Sequence, residues 1–268
     1  MATRHWYPTA PTTRPSPYWY FGWAAYVNRG GYRAALVPGL AATAALLALG
    51  CWIPAATTAA LALVAGGAIV FGHSLAGIYR MYGPPAARYV SRLLALGGVG
   101  AEAVLADLHI GTWRHSHLLR ELRPKARIHS VHCWNVEGPP AEANVRQLHE
   151  LEPPPAAPPF DLLHAQGFRI PLPDASCDAV LAGFGIHEIP SAGPRERLFD
   201  EARRVLKSGG RLLLFEHLVD LENFAIFGPG IAHWPRRREW RALLEARFTD
   251  VRHERTAQAV DLFVATKS

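Results

Sequence analysis

One uncharged run constrains this chain more than any other feature of its sequence. No Asp, Glu, Lys or Arg occurs over residues 34–79, 46 residues in all. At ~1.5 Å per helical residue this is more than twice the length that crosses a hydrocarbon layer ~30 Å thick. The run is interrupted at residues 51–54, Cys-Trp-Ile-Pro, where proline ends a helix and tryptophan is typical of an interface. It therefore predicts a transmembrane hairpin within residues 34–82, with helices near 34–53 and 55–79.

Basic residues flank the run on both sides, whereas the turn between the two helices is uncharged. Arg29 and Arg33 precede the first helix, and Arg80, Arg88 and Arg92 follow the second. Since Lys and Arg are enriched on the cytoplasmic side of membrane helices, we expect a two-helix membrane protein with both termini in the cytoplasm. The alternative is a buried helical pair in a soluble protein, which would need protein against every face of both helices.

Small residues crowd both apolar helices, and packing of the two helices against each other accounts for them. They include Gly39, Gly50, Gly66, Gly67, Gly72 and Gly77. His73 lies inside the second helix, where an ionisable group is a candidate haem or pigment ligand. A neutral imidazole bonded to the partner helix is the alternative.

Residues 1–33 form a separate segment that is rich in aromatic residues, proline and arginine. Its rings belong to His5, Trp6, Tyr7, Tyr18, Trp19, Tyr20, Phe21, Trp23 and Tyr26. Such rings suit the headgroup layer of a membrane, and they equally suit a protein groove that the segment wraps as an extended strap. The sequence leaves both interpretations open.

Charge and cysteine content exclude two classes of function. The chain has 28 Lys and Arg against 22 Asp and Glu. Five of the basic residues and none of the acidic ones lie in residues 1–80, so the remainder has 23 against 22 and is near neutral. We therefore expect no nucleic acid partner. Cys51, Cys133 and Cys177 are far apart and odd in number, which argues against a disulfide framework or a cysteine zinc site.

Residues 83–268 predict an α/β domain that faces the cytoplasm. Strand-like apolar runs alternate with helical patterns, which is typical of a parallel sheet wound with helices. The runs are 103–108, 127–133, 160–165, 179–185, 211–216, 248–255 and 259–266. A helix is predicted over 195–206, ended by the Lys-Ser-Gly-Gly of residues 207–210.

Several motifs occur in a fixed order over residues 165–217. They are Pro-Leu-Pro-Asp at 171–174, Cys-Asp-Ala-Val at 177–180, Arg-Val-Leu-Lys-Ser-Gly-Gly at 204–210 and Glu-His at 216–217. This stretch resembles class I S-adenosylmethionine-dependent methyltransferases, especially the small-molecule branch that includes quinone-biosynthesis enzymes. The resemblance extends over residues 86–268. It implies a Rossmann-like sheet of seven strands, with the cofactor across the carboxyl ends of the first, second and fourth strands.

The resemblance identifies a degenerate cofactor turn after the first strand. In the family an acid there precedes a glycine-rich turn, and Asp107 and Gly111 match that pattern. His109 and Trp113 stand where glycines let bare backbone approach the cofactor. Since a tryptophan buries some 150–250 Å² of surface, we expect the site to be filled by the protein's own side chains.

Two further positions depart from the family pattern. The second strand normally ends in an acid that binds both ribose hydroxyls, but His132 stands there, and a neutral histidine offers one acceptor. Gln166 replaces the acid that contacts the adenine amino group, and its amide oxygen could still accept that bond. We therefore expect no bound cofactor, or S-adenosylmethionine if the protein is active.

Histidines also map to the carboxyl ends of neighbouring strands, at His109, His132, His187 and His217. Four imidazoles could bind a metal such as zinc, but no acid or cysteine spacing supports a defined site, so a hydrogen-bonded polar cluster is the favoured interpretation. His187 and Glu188 are candidate general bases, with ordinary loop chemistry as the alternative.

These features favour a membrane-anchored, methyltransferase-like protein that has lost cofactor binding. It would act as a structural or assembly subunit, with the bilayer and other integral membrane proteins as partners, such as those of a respiratory or photosynthetic complex. The basic cluster of residues 235–241 would touch anionic headgroups or form a solvated helix turn. The alternative is an active S-adenosylmethionine-dependent methyltransferase acting on a lipophilic small molecule, namely a quinone, a pigment precursor or a lipid.

Overall fold

Helices and strands alternate after residue 86, as the sequence predicts. The computed structural model describes residues 7–11, 13–133, 143–189 and 192–268. Its helices are α1 (Pro17–Val27), α2 (Arg29–Gly50), α3 (Pro54–Tyr82), α4 (Ala86–Leu96), α5 (Arg114–Leu122), α6 (Ala143–Leu151), α7 (Ala192–Val205), α8 (Leu221–Phe227) and α9 (Arg237–Glu245). Its strands are β1 (Val104–His109), β2 (Arg127–His132), β3 (Asp161–His164), β4 (Cys177–Gly183), β5 (Leu206–Glu216), β6 (Thr249–Arg255) and β7 (Asp261–Thr266).

The seven strands form one sheet in the order β3-β2-β1-β4-β5-β7-β6. Neighbouring strands from β3 to β5 run parallel, and β7 is antiparallel to both β5 and β6. The central strands β1 and β4 are almost wholly buried because helices cover both faces of the sheet. The predicted α/β architecture with seven strands is confirmed, and the order brings the carboxyl ends of β1, β2, β4 and β5 to one edge.

Each face of the sheet has its own hydrophobic core. On one face α4 buries Tyr89, Val90 and Leu93, which follow the three-and-four spacing of an amphipathic helix. On the other face Phe199 of α7 and Trp240 of α9 pack on the sheet. These two layers fix the sheet edge on which the candidate site is built.

One detail of the predicted helix end is wrong. The helix α7 ends at Val205, and Leu206 already pairs with Cys177 of β4, so residues 207–210 belong to β5 and do not cap the helix. Gly209 has φ +73°, but it lies too far beyond the helix to act as its terminator. Strand pairing that begins at Leu206 takes up residues 207–210, and this prevents them from capping the helix.

The two apolar helices are present and lie outside the domain core. No residue of α2 is buried, and α3 buries only residues near its two ends. Large apolar side chains such as Leu40, Ile69 and Val70 are more than half exposed. Both helices are long and apolar enough to cross a membrane. The alternative of a buried helical pair is not what the described residues show.

The N-terminal segment packs on the chain's own domain and is helical where an extended strap was one expectation. The helix α1 begins after Ser16, whose side chain accepts a hydrogen bond from the Trp19 amide, and Pro17 occupies its first turn. Two side chains of this helix, those of Tyr20 and Trp23, are buried. The predicted rings of His5 and Trp6 lie outside the described residues.

Candidate functional site

The strand register places the sequence-predicted residues at one edge of the sheet. His109 at the end of β1 pairs directly with His132 at the end of β2. His187 follows β4 in a short 3-10 turn, and His217 follows β5. The candidate residues therefore divide between two adjacent regions, one at β1 and β2 and one at β4 and β5.

Four rings pack on one another at the ends of β1 and β2, and we call them the ring cluster. They belong to His109, Trp113, His132 and His149. The centroids of His109 and Trp113 are 4.7 Å apart, those of Trp113 and His132 are 5.4 Å apart, and His132 stacks on His149 at 5.2 Å. Trp113 is 3% exposed, so its ring points inward and fills the space beside His132. His149 was not anticipated, because it comes from α6.

The ring cluster is electrically neutral at pH 7. Burial, reinforced by the neighbouring histidines, lowers the pKa of His109 well below its ordinary value. Burial and the nearby His149 and His164 lower the pKa of His132 to about 4. Neutral imidazoles pack on an indole without a desolvation cost for charge, which suits a filled interior.

Buried hydroxyls connect Asp107 to the ring cluster. The Ser116 Oγ lies 2.6 Å from Asp107 Oδ2 and 2.6 Å from Ser130 Oγ. His109 Nε2 lies 3.0 Å from the same Ser130 Oγ. Burial raises the pKa of the Asp107 carboxyl to about 7, although the bonds from Ser116 lower it in part. Ser116 and Ser130 therefore connect Asp107 to His109, whereas the other ring nitrogen of His109, Nδ1, has no hydrogen-bond partner among the described residues.

The two remaining positions of the degenerate cofactor site, Gly111 and Gln166, have different environments. Gly111 has φ +121°, a conformation that other residues rarely adopt, and this explains why a glycine stays there. Gln166 is exposed, and its backbone pairs with Arg169 beyond the end of β3. Gln166 thus lies on the rim of the site, outside the ring cluster.

The other region contains a cavity of about 270 Å³, which we call the α1 cavity. Tyr20 and Trp23 of α1 cover it, and Phe184, His187 and Trp234 line it after β4 and β5. Residues of the turn after β1 and of α6 line it as well, namely Ile110, Thr112, Val145 and Leu148, so the cavity reaches the edge of the ring cluster. An apolar cavity of ~150 Å³ can hold a benzene ring, so the α1 cavity has room for a larger ligand. No sequence pattern pointed to this cavity, because its walls come from six segments that are distant along the chain.

A buried charged trio borders the α1 cavity. His187 Nδ1 lies 2.6 Å from Glu216 Oε2, and His187 Nε2 lies 3.0 Å from Glu188 Oε1. Burial alone would lower the pKa of His187, but the two carboxylates raise it to about 10. His187 is therefore a cation at pH 7 and holds a proton, which favours Glu188 as the proton acceptor of the two candidate bases. Both assignments stay predictions.

The lining of the α1 cavity includes polar atoms that have no hydrogen-bond partner among the described residues. They are Trp23 Nε1, His115 Nε2, Glu188 Oε2, His217 Nδ1 and Trp234 Nε1. His217 is held by the Tyr82 hydroxyl, 2.8 Å from its other ring nitrogen, and stacks on Phe184 at 3.9 Å. Unpaired buried polar atoms are costly. Unpaired donors and acceptors in the wall of a cavity are typical of a site for a ligand or for water.

The four histidines considered for a metal do not form one cluster. His109 and His132 have ring centroids 5.4 Å apart in the ring cluster, and His187 and His217 have centroids 5.8 Å apart beside the α1 cavity. Within the described ranges, no group of three or more His, Cys, Asp or Glu residues is placed to hold a metal ion.

Part of the sheet matches a family of known proteins. Residues 115–214 match the family described as "Methyltransferase domain". The match includes β2, β3, β4 and most of β5, and the sheet adds an antiparallel β7 between β5 and β6. The matched residues make up less than half of the chain, and they lie within a seven-stranded α/β sheet of the methyltransferase type.

Two curated relatives are similar to a short part of this methyltransferase domain. They are the ubiquinone/menaquinone biosynthesis C-methyltransferases UbiE of two strains of Caulobacter vibrioides, each 50% identical over 48 residues. That segment covers 18% of this chain and 18% of each relative. The match therefore spans less than a fifth of the relatives' length.

Solved structures with the same fold include two from other organisms. A putative O-methyltransferase from Nostoc punctiforme is 14% identical, with 72% of this chain and 60% of that chain covered and a TM-score of 0.49. A putative methyltransferase in complex with the Trm112 activator of Haloferax volcanii is 15% identical, with 66% and 87% covered and a TM-score of 0.48. These likenesses concern the fold alone.

Proposed function

We propose that this protein is a membrane-anchored relative of the methyltransferases that has lost S-adenosylmethionine binding and acts as a structural or assembly subunit of a membrane protein complex. The observation that carries the proposal is the ring cluster. The resemblance implies a cofactor across the ends of β1, β2 and β4, and at the first two of these this chain has packed rings, with Trp113 only 3% exposed. The residues present do not fit an adenosyl ligand in this arrangement.

The cost of opening the ring cluster supports this proposal. Expelling Trp113 would return ~150–250 Å² to water, or about 4–6 kcal/mol at ~25 cal/mol per Å². Each 1.4 kcal/mol is a factor of ten in affinity, so a cofactor would bind about three to four orders of magnitude more weakly than in an open site. In addition, His132 can offer only one acceptor to the two ribose hydroxyls.

The apolar helices support the membrane anchor. Together, α2 and α3 expose a long apolar surface that the domain does not cover, and Arg29, Arg33 and Arg80 flank it. Arginines on both outer flanks and an uncharged turn favour two crossings with both termini in the cytoplasm. The hydrocarbon layer of a bilayer supplies the apolar surroundings that such exposed side chains favour.

A partner within the membrane is supported by glycines that the hairpin does not use. A Cβ at Gly50 would lie 2.1 Å from the Thr57 Oγ1, so this glycine does let α2 and α3 approach closely. Among the described residues, no atom outside the adjoining turns of α3 lies within 4 Å of the corresponding position at Gly66, Gly67 or Gly72. The sequence-based account by packing within the hairpin is therefore incomplete, and these glycines leave α3 open to a helix of another protein.

Isothermal titration of the detergent-purified protein with S-adenosylmethionine tests the loss of the cofactor. We expect no binding at micromolar concentrations, and micromolar binding would overturn the proposal. The combined variant His109→Gly, Trp113→Gly and His132→Asp removes three obstacles and should gain at least about tenfold in affinity. Trp52→Gly is the matched control, because Trp52 is 85% exposed in the turn between α2 and α3 and should gain nothing.

Purification from native membranes tests the structural role. We expect other membrane proteins to co-purify in constant stoichiometry, and Gly66→Leu with Gly72→Leu should reduce their recovery severalfold because the added side chains keep a partner helix away. Val70→Leu is the control, since Val70 is exposed on the same helix and its exchange changes little volume. Recovery of the protein alone under mild conditions would count against a subunit role.

The second candidate is an active methyltransferase on a lipophilic small molecule, which the α1 cavity favours. The unpaired Glu188 Oε2 borders this cavity and could accept a proton from an acceptor hydroxyl or carbon acid. Incubation with radiolabelled S-adenosylmethionine and a total lipid extract distinguishes the candidates. Labelled lipid that is lost in Glu188→Gln would support the enzyme, and absence of label supports the subunit.

A further inference from the structure

The short helix α8 is apolar on the side that faces away from the domain. Leu221 is 88% exposed and Phe224 is 51% exposed. On the opposite side Asn223 and Ile226 are buried. A helix whose outer side is also apolar requires an apolar environment on that side as well as against the domain. The domain supplies only one of them.

The buried side of α8 rests directly on the second apolar helix. The Ser74 hydroxyl of α3 donates a hydrogen bond of 2.5 Å to the Ile226 carbonyl oxygen. A Cβ at Gly77 would lie 2.5 Å from the Ile226 side chain, so a glycine at this position permits the close approach. The contact fixes α8 at one level of α3.

That level lies where the uncharged run meets the first charges. Ser74 precedes Arg80 by six residues, or roughly 9 Å at ~1.5 Å per residue along the helix. The Tyr32 hydroxyl of α2 lies 3.1 Å from the Ser74 Oγ, which places Arg33 close to the same level. Helices that lie in a membrane surface bury their apolar face by about 5–10 Å at the boundary of headgroups and acyl chains. The position of α8 matches this depth.

The charges near α8 face the domain and are compensated. Glu222, the one charged residue of this helix, lies 3.1 Å from Arg255, and the capping Asp220 lies 2.9 Å from the same arginine. Glu222 is 40% exposed but paired with Arg255, and the outermost side chains of α8 are those of Leu221 and Phe224.

We infer that α8 is an interfacial helix whose Leu221 and Phe224 insert into the bilayer surface beside α3. The inference rests on the proposed membrane crossing of α2 and α3. Phe227 at the end of α8, and Ile231 and Trp234 just beyond it, line the α1 cavity. Insertion of α8 therefore holds one wall of that cavity at the membrane surface, within reach of a lipid-dissolved ligand.

Spin-label accessibility in phospholipid nanodiscs tests the inference with the full-length protein. Cys51 is first replaced by Ser, because it is the exposed cysteine of the three, and single labels are then placed at Phe224→Cys, Val70→Cys and Ala242→Cys. Ala242 lies on the exposed face of α9 and serves as the aqueous control. Oxygen partitions into lipid, whereas a nickel chelate stays in water.

We expect the oxygen-to-chelate accessibility ratio at residue 224 to exceed that at residue 242 severalfold and to fall below that at residue 70. A label at Leu221→Cys should behave as the one at residue 224 does, and it serves as a second reporter if Phe224→Cys fails to fold. A water-like ratio at both α8 positions, with a membrane-like ratio at residue 70, would overturn the inference and leave the membrane anchor standing. Water-like ratios at residue 70 as well would overturn both.

Discussion

Two neighbouring regions of one sheet edge, the ring cluster and the α1 cavity, differ in how side chains fill the space at the strand ends. At the ends of β1 and β2, the rings of His109, Trp113 and His132 pack on one another and leave Trp113 only 3% exposed. Beside the ends of β4 and β5, and reaching the turn after β1, a cavity of about 270 Å³ remains, with unpaired polar atoms in its lining. The comparison teaches that packed rings can fill one part of this sheet edge while the adjoining part keeps the features of a ligand site.

His132 of the ring cluster and His187 beside the α1 cavity have opposite charge states, whereas burial lowers the pKa of His217 as it does that of His132. Burial lowers the pKa of His132 to about 4. Burial also acts on His187, but the carboxylates of Glu216 and Glu188 outweigh it and raise the pKa to about 10. The neutral His132 packs against other rings. The cationic His187, flanked by two carboxylates, makes the adjacent wall of the α1 cavity polar. Each prediction below would break or sharpen this contrast.

The largest effect is expected from Trp113→Ala in the ring cluster. Truncation of a buried tryptophan removes its packing and leaves a cavity, so the free energy of unfolding should fall by about 4 kcal/mol. Denaturant unfolding of the detergent-purified protein measures this. A loss below about 1 kcal/mol would mean that the indole is not packed as described and that the region is open.

His187→Gln should lower the free energy of unfolding by about 3 kcal/mol at pH 7, because it leaves two buried carboxylates without their cation. The pH dependence gives a second signature. A folded pKa of about 10 lies above the ordinary 6.5, so this group's stabilisation is complete below pH 6.5 and is lost as the pH rises through 10. Unfolding measured from pH 6 to 10 should show this decline in the native protein and not in the variant. An equal decline in both would contradict the assignment.

Tyr20→Phe tests how α1 is held over the cavity. The Tyr20 hydroxyl donates a hydrogen bond of 2.5 Å to Glu152 Oε1, and its loss leaves the buried carboxyl less satisfied, at about 2 kcal/mol. Hydrogen exchange of residues 17–27 should accelerate. Tyr18→Phe is the control, because Tyr18 is 62% exposed and should change stability by less than about 0.5 kcal/mol. Equal effects of both variants would show that Glu152 does not hold the helix.

The smallest effect is expected from Trp234→Phe beside the α1 cavity. The indole N–H has no partner among the residues that the structure describes, so no hydrogen bond is lost and the ring contact with His217 is kept. The free energy of unfolding should change by less than about 0.5 kcal/mol in thermal or denaturant unfolding. A loss above about 1.5 kcal/mol would reveal a bond to this indole and weaken the contrast.

Sequence patterns predicted the sheet and the positions of the candidate residues because those patterns are local. The strand runs and the motif at 204–210 placed β4 and β5 beside each other, and the resemblance then located His109 and His132 at strand ends. Three features escaped prediction: the helical form of α1, the α1 cavity and the charged trio of His187, Glu188 and Glu216. The Ser16-Pro17 pair could have signalled the start of α1, since it is a capping residue followed by a first-turn proline.

The length of the uncharged run, the alternation of strands and helices, and the presence of rings where the family has glycine or an acid were all set by the sequence alone. Only the tertiary structure decided that Trp113 turns inward onto His132 and that α1 closes a cavity beyond it. The physical reason is that periodicity and capping depend on neighbours within a few residues. Whether a space is filled depends on the volumes and orientations of side chains that meet from β1, β2 and α6.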